Sequence, residues 1–236
     1  MFEERDNLEP LHQELRAALA GVTGGVEFVY VDDGSRDGSA EALADLAKGD
    51  ERVRVLRFEH NSGQSAAFAA GFEAARGEIV ATLDADLQND PADLPRLLAG
   101  LDRADVVNGV RVGRQDGLVR KLSSRVGNGF RNWMTEESVS DVGCSLRVMR
   151  ASYLKRVKLY RGMHRFLPTL LRMEGARVIE LPVSHRPRRH GHSKYGIANR
   201  LFVGLADVFA VRWMQKRRLS WRLRDPGAGP GGSRDG

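Results

Sequence analysis

The chain carries one cysteine, Cys144, in 236 residues. A single thiol closes no internal disulfide and builds no cysteine-based zinc knuckle, so the fold rests on its core. Use of one cysteine fits a reducing compartment. Aromatic residues are also scarce, 7% of the chain. They are not interleaved with the basic residues and no recognition motif accompanies them, which argues against nucleic acid as a partner. Long hydrophobic runs are missing: the best, residues 201–211, is 11 residues long and contains Asp207, against the roughly 18 that a membrane span requires. No basic-then-apolar leader opens the sequence. Lysine is rare, 6 of 37 basic residues. Arginine's planar fork binds phosphate through two parallel bonds and lysine does not, although genomic base composition would produce the same ratio.

What is present is ordinary for a soluble globular chain, 42% hydrophobic and 29% charged, and long enough to bury a substantial core. The net charge of +6 is unevenly placed. Residues 1–110 carry 10 Lys+Arg and 22 Asp+Glu, whereas residues 111–236 carry 27 and 9. The acidic half could hold a cation. The basic half could face a phosphate-rich partner or an anionic membrane surface.

Periodicity divides the first two-thirds into alternating helices and strands. Leu8, Leu11, Leu15 and Leu19 keep helical spacing. Strands are expected over 26–31, 53–58, 78–83 and 104–110, with helices over 39–48, 65–75 and 91–101. Such alternation predicts an α/β fold with a mostly parallel sheet flanked by helices. Ligands of such sheets sit at the carboxyl ends of the strands. Later elements are helices over 117–134, 163–174 and 197–216 and strands over 145–149 and 176–183. In the last helix Leu201, Phe202, Leu205, Val208, Phe209 and Trp213 fall at helical spacing. The stretch 219–236 is Gly/Pro-rich and reads as a disordered tail.

Two acidic clusters end strands. Asp84-Ala85-Asp86, with Gln88, offers oxygen ligands that suit Mg²⁺ or Mn²⁺ bridging to phosphates. Alone, Asp-x-Asp is also a common solvated turn; its place between EIVATL and a Pro-started helix favours the metal. Asp32-Asp33-Gly34-Ser35 could accept hydrogen bonds from a nucleoside, or simply cap the next helix. Asn61-Ser62-Gly63-Gln64 opens a small-residue helix that permits close backbone approach, or close helix packing. Arg111, Arg120, Lys121, Ser124 and Arg125 form a basic set. Arg120 and Ser124, four apart, share a helix face and could hold one phosphate; a solvated basic face is the alternative. His185, His190 and His192 lie among cations, which disfavours a metal there. Asp141 reads as a base or, more simply, as an arginine's partner.

Taken in order, VDDGSRDGS (31–39), NSGQSAAFAAGF (61–72), GEIVATLDADLQNDP (77–91), Gly109-Val110-Arg111, RKLSS (120–124), DVGCSLRVMR (141–150) and RPRRHGHSKYG (186–196) resemble the family 2 glycosyltransferases of GT-A (Rossmann-like) fold. The subgroup is that of polyprenol-phosphate sugar transferases such as dolichol-phosphate mannose synthase. The resemblance implies an inverting transfer of a hexose, from GDP-mannose or UDP-glucose, to a polyprenyl (dolichyl or undecaprenyl) phosphate. It implies nucleotide contacts at Glu4, Asp32, Asp33, Gln64 and Asp84, and Mg²⁺ or Mn²⁺ at Asp84, Asp86 and Gln88. Acceptor-phosphate contacts fall on Arg111, Arg120, Ser124, Arg188, Ser193 and Lys194, and the reacting centre on Asp86, Arg111 and Asp141. A phosphate monoester, with a second pKa near ~6, is already a nucleophile, so Asp141 is expected to orient groups rather than to be an indispensable base. A hydroxyl acceptor or a weakly active binding module are the alternatives. Two departures stand out. Phe2-Glu3-Glu4-Arg5-Asp6-Asn7-Leu8 matches the end of the family's opening segment while the usual first strand is missing, which points to a late start or a truncation. The paired membrane helices of many relatives are absent too. The expected organisation is a GT-A domain (1–196), an amphipathic helix (197–218) for an anionic inner membrane face, and the tail; a separate small membrane protein could anchor it.

Overall fold

The computed structural model describes residues 1–112, 118–187 and 198–219, with side chains left undescribed at 118–126 and 198–203. The chain enters on α1 (Arg5–Ala18), whose Leu8, Leu11 and Leu15 are buried against Phe28 and Tyr30 of β1 (Phe28–Asp32). There follow α2 (Ser39–Gly49), β2 (Val53–Arg57), α3 (Gln64–Ala74) and β3 (Ile79–Thr82). A 3₁₀ turn (Pro91–Asp93) leads into α4 (Leu94–Ala99) and then β4 (Val106–Arg111). The remainder is α5 (Leu118–Thr135), β5 (Arg147–Arg150), α6 (Ala151–Leu154), a 3₁₀ turn (Met163–Phe166), α7 (Leu167–Met173), β6 (Val178–Val183) and α8 (Ala198–Lys216). Sequence periodicity located all of these except the one-turn α6, with boundaries shifted by one to three residues.

The sheets depart from a mostly parallel arrangement. β1 and β2 pair in parallel as one two-stranded sheet. The second sheet runs β3-β5-β4-β6: β5 is antiparallel to both β3 and β4, and β4 is parallel to β6. The reason is the connection after β4. A parallel return needs a crossover helix packed across the sheet, but α5 packs chiefly against α8, so the chain re-enters the sheet running the other way.

Met1 donates to the Val31 carbonyl at 2.7 Å and accepts from the Asp33 amide at 2.8 Å, the pattern of a parallel pairing on β1's outer edge. The next residues are pinned to the turn after β1: the Glu3 amide donates to Ser35 Oγ, Glu4 to Ser39 Oγ and Arg5 to Asp37 Oδ2. Gly34 turns the chain there at φ +75°, and a Cβ would lie 2.7 Å from the His60 carbonyl carbon. Only glycine fits that approach.

The main core joins α1, α2, α4 and both sheets through Leu8, Leu43, Leu87, Leu94, Leu97, Leu146 and Val107. A satellite core joins α7, α8 and the 3₁₀ turn before α7 through Met163, Phe166, Leu170, Val208 and Val211. The helical-spacing set on α8 therefore does not form a single buried stripe. Val208 and Val211 face inward, while Phe209 and Trp213 are 56% and 63% exposed. Among the described residues no helix is long and apolar enough to cross a membrane.

Candidate functional site

The loops at the carboxyl ends of β1, β3 and β4 carry the candidate site. After β1, Asp32 is fully buried; its Oδ1 accepts from the Ser35 amide at 3.0 Å and its Oδ2 lies 3.6 Å from Arg57 Nε. Asp33 reaches across to the turn before α3, accepting from the Ser62 amide at 2.6 Å and the Gly63 amide at 2.9 Å. Both carboxylates thus build the loops, while α2 takes no side-chain cap at its Gly38 N-cap. A concavity of about 350 Å³ opens beside them, lined by Gly34, Ser35, Arg36, Arg57, Phe58 and Glu59. Sequence reasoning missed the last three, although their place after β2 was the available signal. Glu4 stands just before α1 and its side chain accepts from Asn7 Nδ2 at 2.6 Å.

After β3 the Asp84-Ala85-Asp86-Leu87-Gln88 turn is tightly determined. Gln64, first residue of α3, donates from Nε2 to Asp84 Oδ1 at 2.8 Å. Asp86, itself buried, accepts from the Gln88 amide at 3.1 Å. Between them Leu87 adopts φ +59° while burying its side chain almost completely. A non-glycine residue in this region is strained by about 1–2 kcal/mol, and such strain persists only where packing over-determines it. Here the buried Leu87 side chain supplies that packing and anchors the turn between the two carboxylates in the core. Burial first, and then the charge of Asp86, push the Asp84 carboxyl above the usual carboxylate range despite the opposing influence of nearby Ser145 and Arg147. Two ionised carboxylates left facing each other repel, and a divalent cation relieves that repulsion. Two carboxylates on one short turn are oxygen donors of the kind that Mg²⁺ or Mn²⁺ takes. No group of three or more His, Cys, Asp or Glu side chains with metal-holding geometry occurs among the described residues.

After β4, Arg111 and Asp141 form a two-pronged pair. Nε donates to Oδ2 at 2.7 Å and Nη2 to Oδ1 at 2.8 Å, while the Arg111 amide also points at Oδ2. Burial disfavours the guanidinium's charge, but Asp141 outweighs it and holds the Arg111 pKa above its ordinary value. Gly143 makes room for this pair: a Cβ there would lie 2.7 Å from Arg111 Nη2.

Ser145 ties the segment that carries Asp141 to the turn after β3. Its Oγ accepts from the Asp84 amide at 3.0 Å and from Asn89 Nδ2 at 2.9 Å, and its carbonyl accepts from Thr82 Oγ1 at 2.7 Å. Arg147, also missed in the sequence, is buried beneath; it donates to Asn108 Oδ1, the Val142 carbonyl and the His164 carbonyl. Cys144 is buried and its thiol is pushed up to about 11, chiefly by burial, so it is an inert packing group. Arg120 and Ser124 lie on α5, but their side chains fall outside the described residues, as do Arg188, Ser193 and Lys194.

The sequence model described as glycosyl transferase family 2 matches residues 1–158. The chain belongs to this family. It is 37% identical over 222 residues to the dodecaprenyl-phosphate galacturonate synthase of Rhizobium johnstonii, covering 92% of this chain and 65% of that protein. It is 41% identical over 199 residues to the undecaprenyl-phosphate 4-deoxy-4-formamido-L-arabinose transferase of Edwardsiella ictaluri, covering 84% and 61%. The family 2 chain thus spans under two-thirds of the length of these relatives. Its fold is shared by the glucosyl-3-phosphoglycerate synthase of Mycobacterium tuberculosis, solved with Mn²⁺, UDP and phosphoglyceric acid (TM-score 0.66, 18% identity, 98% of this chain and 79% of that one). The α/β architecture with helix-flanked sheets is that of the GT-A enzymes.

Proposed function

We propose that this family 2 chain transfers a sugar from a nucleoside-diphosphate donor to the phosphate of a polyprenyl phosphate. The observation that carries the reading is the stitched wall. The acidic Asp84/Asp86 turn and the Arg111–Asp141 pair are tied to one short segment, 141–145, through Ser145. An acidic, cation-holding side stands next to an arginine side, as a reaction between two phosphate-bearing substrates requires. The names of both curated relatives, each a transferase or synthase acting with a polyprenyl phosphate, support the same acceptor.

In this reading the concavity beside Gly34, Arg57 and Phe58 takes the nucleoside, with Asp32 and Asp33 shaping its floor. Asp84, Asp86 and Gln88 hold Mg²⁺ or Mn²⁺; the bound ion would screen the diphosphate leaving group. The Mn²⁺ and UDP of the mycobacterial fold neighbour lend support. Arg111, with Arg120, Ser124, Arg188, Ser193 and Lys194, holds the acceptor phosphate. A phosphate dianion needs positioning rather than deprotonation, so Asp141 aims the Arg111 fork. Direct displacement at the anomeric carbon inverts its configuration. The sugars in the relatives' names are galacturonate and formamido-arabinose, so the donor is sought beyond GDP-mannose and UDP-glucose. Trp133, Phe209 and Trp213 are exposed, and Lys216, Arg217 and Arg218 stand at or just beyond the end of α8. Aromatic and cationic side chains of this kind suit the surface of an anionic membrane carrying the lipid acceptor; a small anchor protein could assist.

The test is transfer of labelled sugar from GDP-mannose, UDP-glucose, UDP-galacturonate and UDP-4-deoxy-4-formamido-arabinose into an organic-extractable product with undecaprenyl phosphate. Label in the organic phase from one donor supports the proposal. No label from any donor, while water-soluble acceptors are glycosylated, overturns it.

A further inference from the structure

One buried contact near the site has no role in that account. Ser65, the second residue of α3, is almost fully buried. Its Oγ accepts from the Gly162 amide at 3.0 Å and lies 2.7 Å from His164 Nδ1. Having accepted the amide proton, the hydroxyl still offers one proton and a second lone pair, so either tautomer of the ring closes this contact. Burial, followed by the charges of Arg165 and Arg147, pushes the His164 pKa down to about 3. Both influences favour the neutral ring. Phe68, one turn further along α3, lies against it at 6.1 Å. Arg147 holds the backbone of the same residue through the His164 carbonyl at 3.2 Å.

The first turn of α3 is therefore gripped from two sides. Asp33 holds the Ser62 and Gly63 amides, and His164 holds Ser65. Between these grips sits Gln64, whose amide reaches Asp84. We propose that Ser65 and His164 are positioning residues for the donor side: they fix the rotation of the first turn of α3 so that Gln64 stays on Asp84 and keeps one carboxylate oxygen aimed for the cation. His164 itself touches no reacting atom. The link runs from the 3₁₀ turn before α7, through Ser65, to the Asp84/Asp86 turn, and spans 99 residues of sequence, which is why no local motif displays it. The inference rests on the metal-dependent donor site proposed above.

Three variants separate positioning from packing. His164→Phe keeps an aromatic ring against Phe68 but removes the nitrogen that bonds Ser65. His164→Asn places an amide group, able to donate or accept, near the position of Nδ1. Ser65→Ala removes the link from the other end. Two readouts are taken on the full chain: hydrogen exchange of the 62–67 amides, and Mn²⁺ bound in the presence of UDP, counted by electron paramagnetic resonance. His164→Phe and Ser65→Ala are expected to speed exchange and to weaken Mn²⁺·UDP binding about 10-fold, the worth of one such hydrogen bond. His164→Asn is expected to stay within about 3-fold of the parent. Unchanged exchange in His164→Phe, or an Asn variant as defective as the Phe variant, overturns the proposal. A parent chain that binds no Mn²⁺·UDP overturns the donor-site reading instead, while the exchange data still decide whether His164 grips the turn.

Discussion

Replacing Asp141 by asparagine distinguishes an orienting carboxylate from a general base. The side chains of Arg111 and Asp141 are 17% and 9% exposed and joined by two short bonds. Asparagine preserves one oxygen for one guanidinium N–H but turns its amide hydrogens toward the other. One charge-assisted hydrogen bond is lost, worth about 1.5–3 kcal/mol. Referred entirely to acceptor positioning, that amounts to a fall of about 10- to 100-fold in kcat/KM. The loss should fall on acceptor KM as well as kcat and leave donor KM alone, because Asp141 holds Arg111 and not the Asp84/Asp86 turn. The assay is initial-rate transfer with each substrate varied, repeated from about pH 6 to 9. An orienting role leaves the shape of the pH profile unchanged in the variant. If Asp141 removed a proton in the rate-limiting step, the acidic limb of the profile would disappear, and the loss could reach about 10⁴-fold. A folded Asp141→Asn variant with no measurable turnover, or with a flattened limb, would refute the reasoning.

Other outcomes follow from the same geometry. Gly143→Ala puts a methyl group 2.7 Å from Arg111 Nη2, so acceptor KM should rise about 10-fold while donor KM holds; equal effects on both would count against the placement of Arg111. Leu87→Ala empties a buried site beneath the two carboxylates and should cost about 2–5 kcal/mol, read as a fall in Tm of about 5–15 °C; a smaller fall would mean the turn is held by something else. Asp84→Asn should abolish Mn²⁺-dependent turnover yet raise Tm near neutral pH. The folded-state pKa of Asp84 is raised by burial and by Asp86, so its ionisation destabilises the fold above that pKa, and the difference from the parent should close as pH falls through it. Melting scans at about pH 7 and pH 4 check the sign; a variant less stable than the parent at neutral pH would contradict it.

Element identity was legible because the chain follows simple periods. Leu8, Leu11 and Leu15 mark one face of α1, and β1 and β3 are short apolar runs that lead into acidic turns. Direction was not legible. Nothing in Arg147–Arg150 states that β5 runs antiparallel to both neighbours, since that depends on where α5 packs. The inward face of α8 was not legible for a related reason: Phe209 and Val208 have similar hydrophobicity, and only the position of the satellite core decides which points inward. In the site, the Asp84-Ala85-Asp86 turn stood out because its chemistry is local. The arginine partner of Asp141 was anticipated as a type but not as Arg111, and Arg147, Ser145, Ser65 and His164 were silent. Their roles arise from contacts 17 to 99 residues apart, which leave no pattern in a single sequence.

The measurement that bears most directly on the account compares two acceptors that differ only at the head group: undecaprenyl phosphate and undecaprenol, each offered with the active labelled donor and Mn²⁺. The arginine side of the wall, with no base required, predicts label on the phosphate and none above background on the alcohol, and loss of the phosphate signal when the cation is chelated. Comparable transfer to the alcohol, or undiminished transfer under chelation, would contradict the division of the site into a cation-holding donor side and an arginine-held acceptor phosphate.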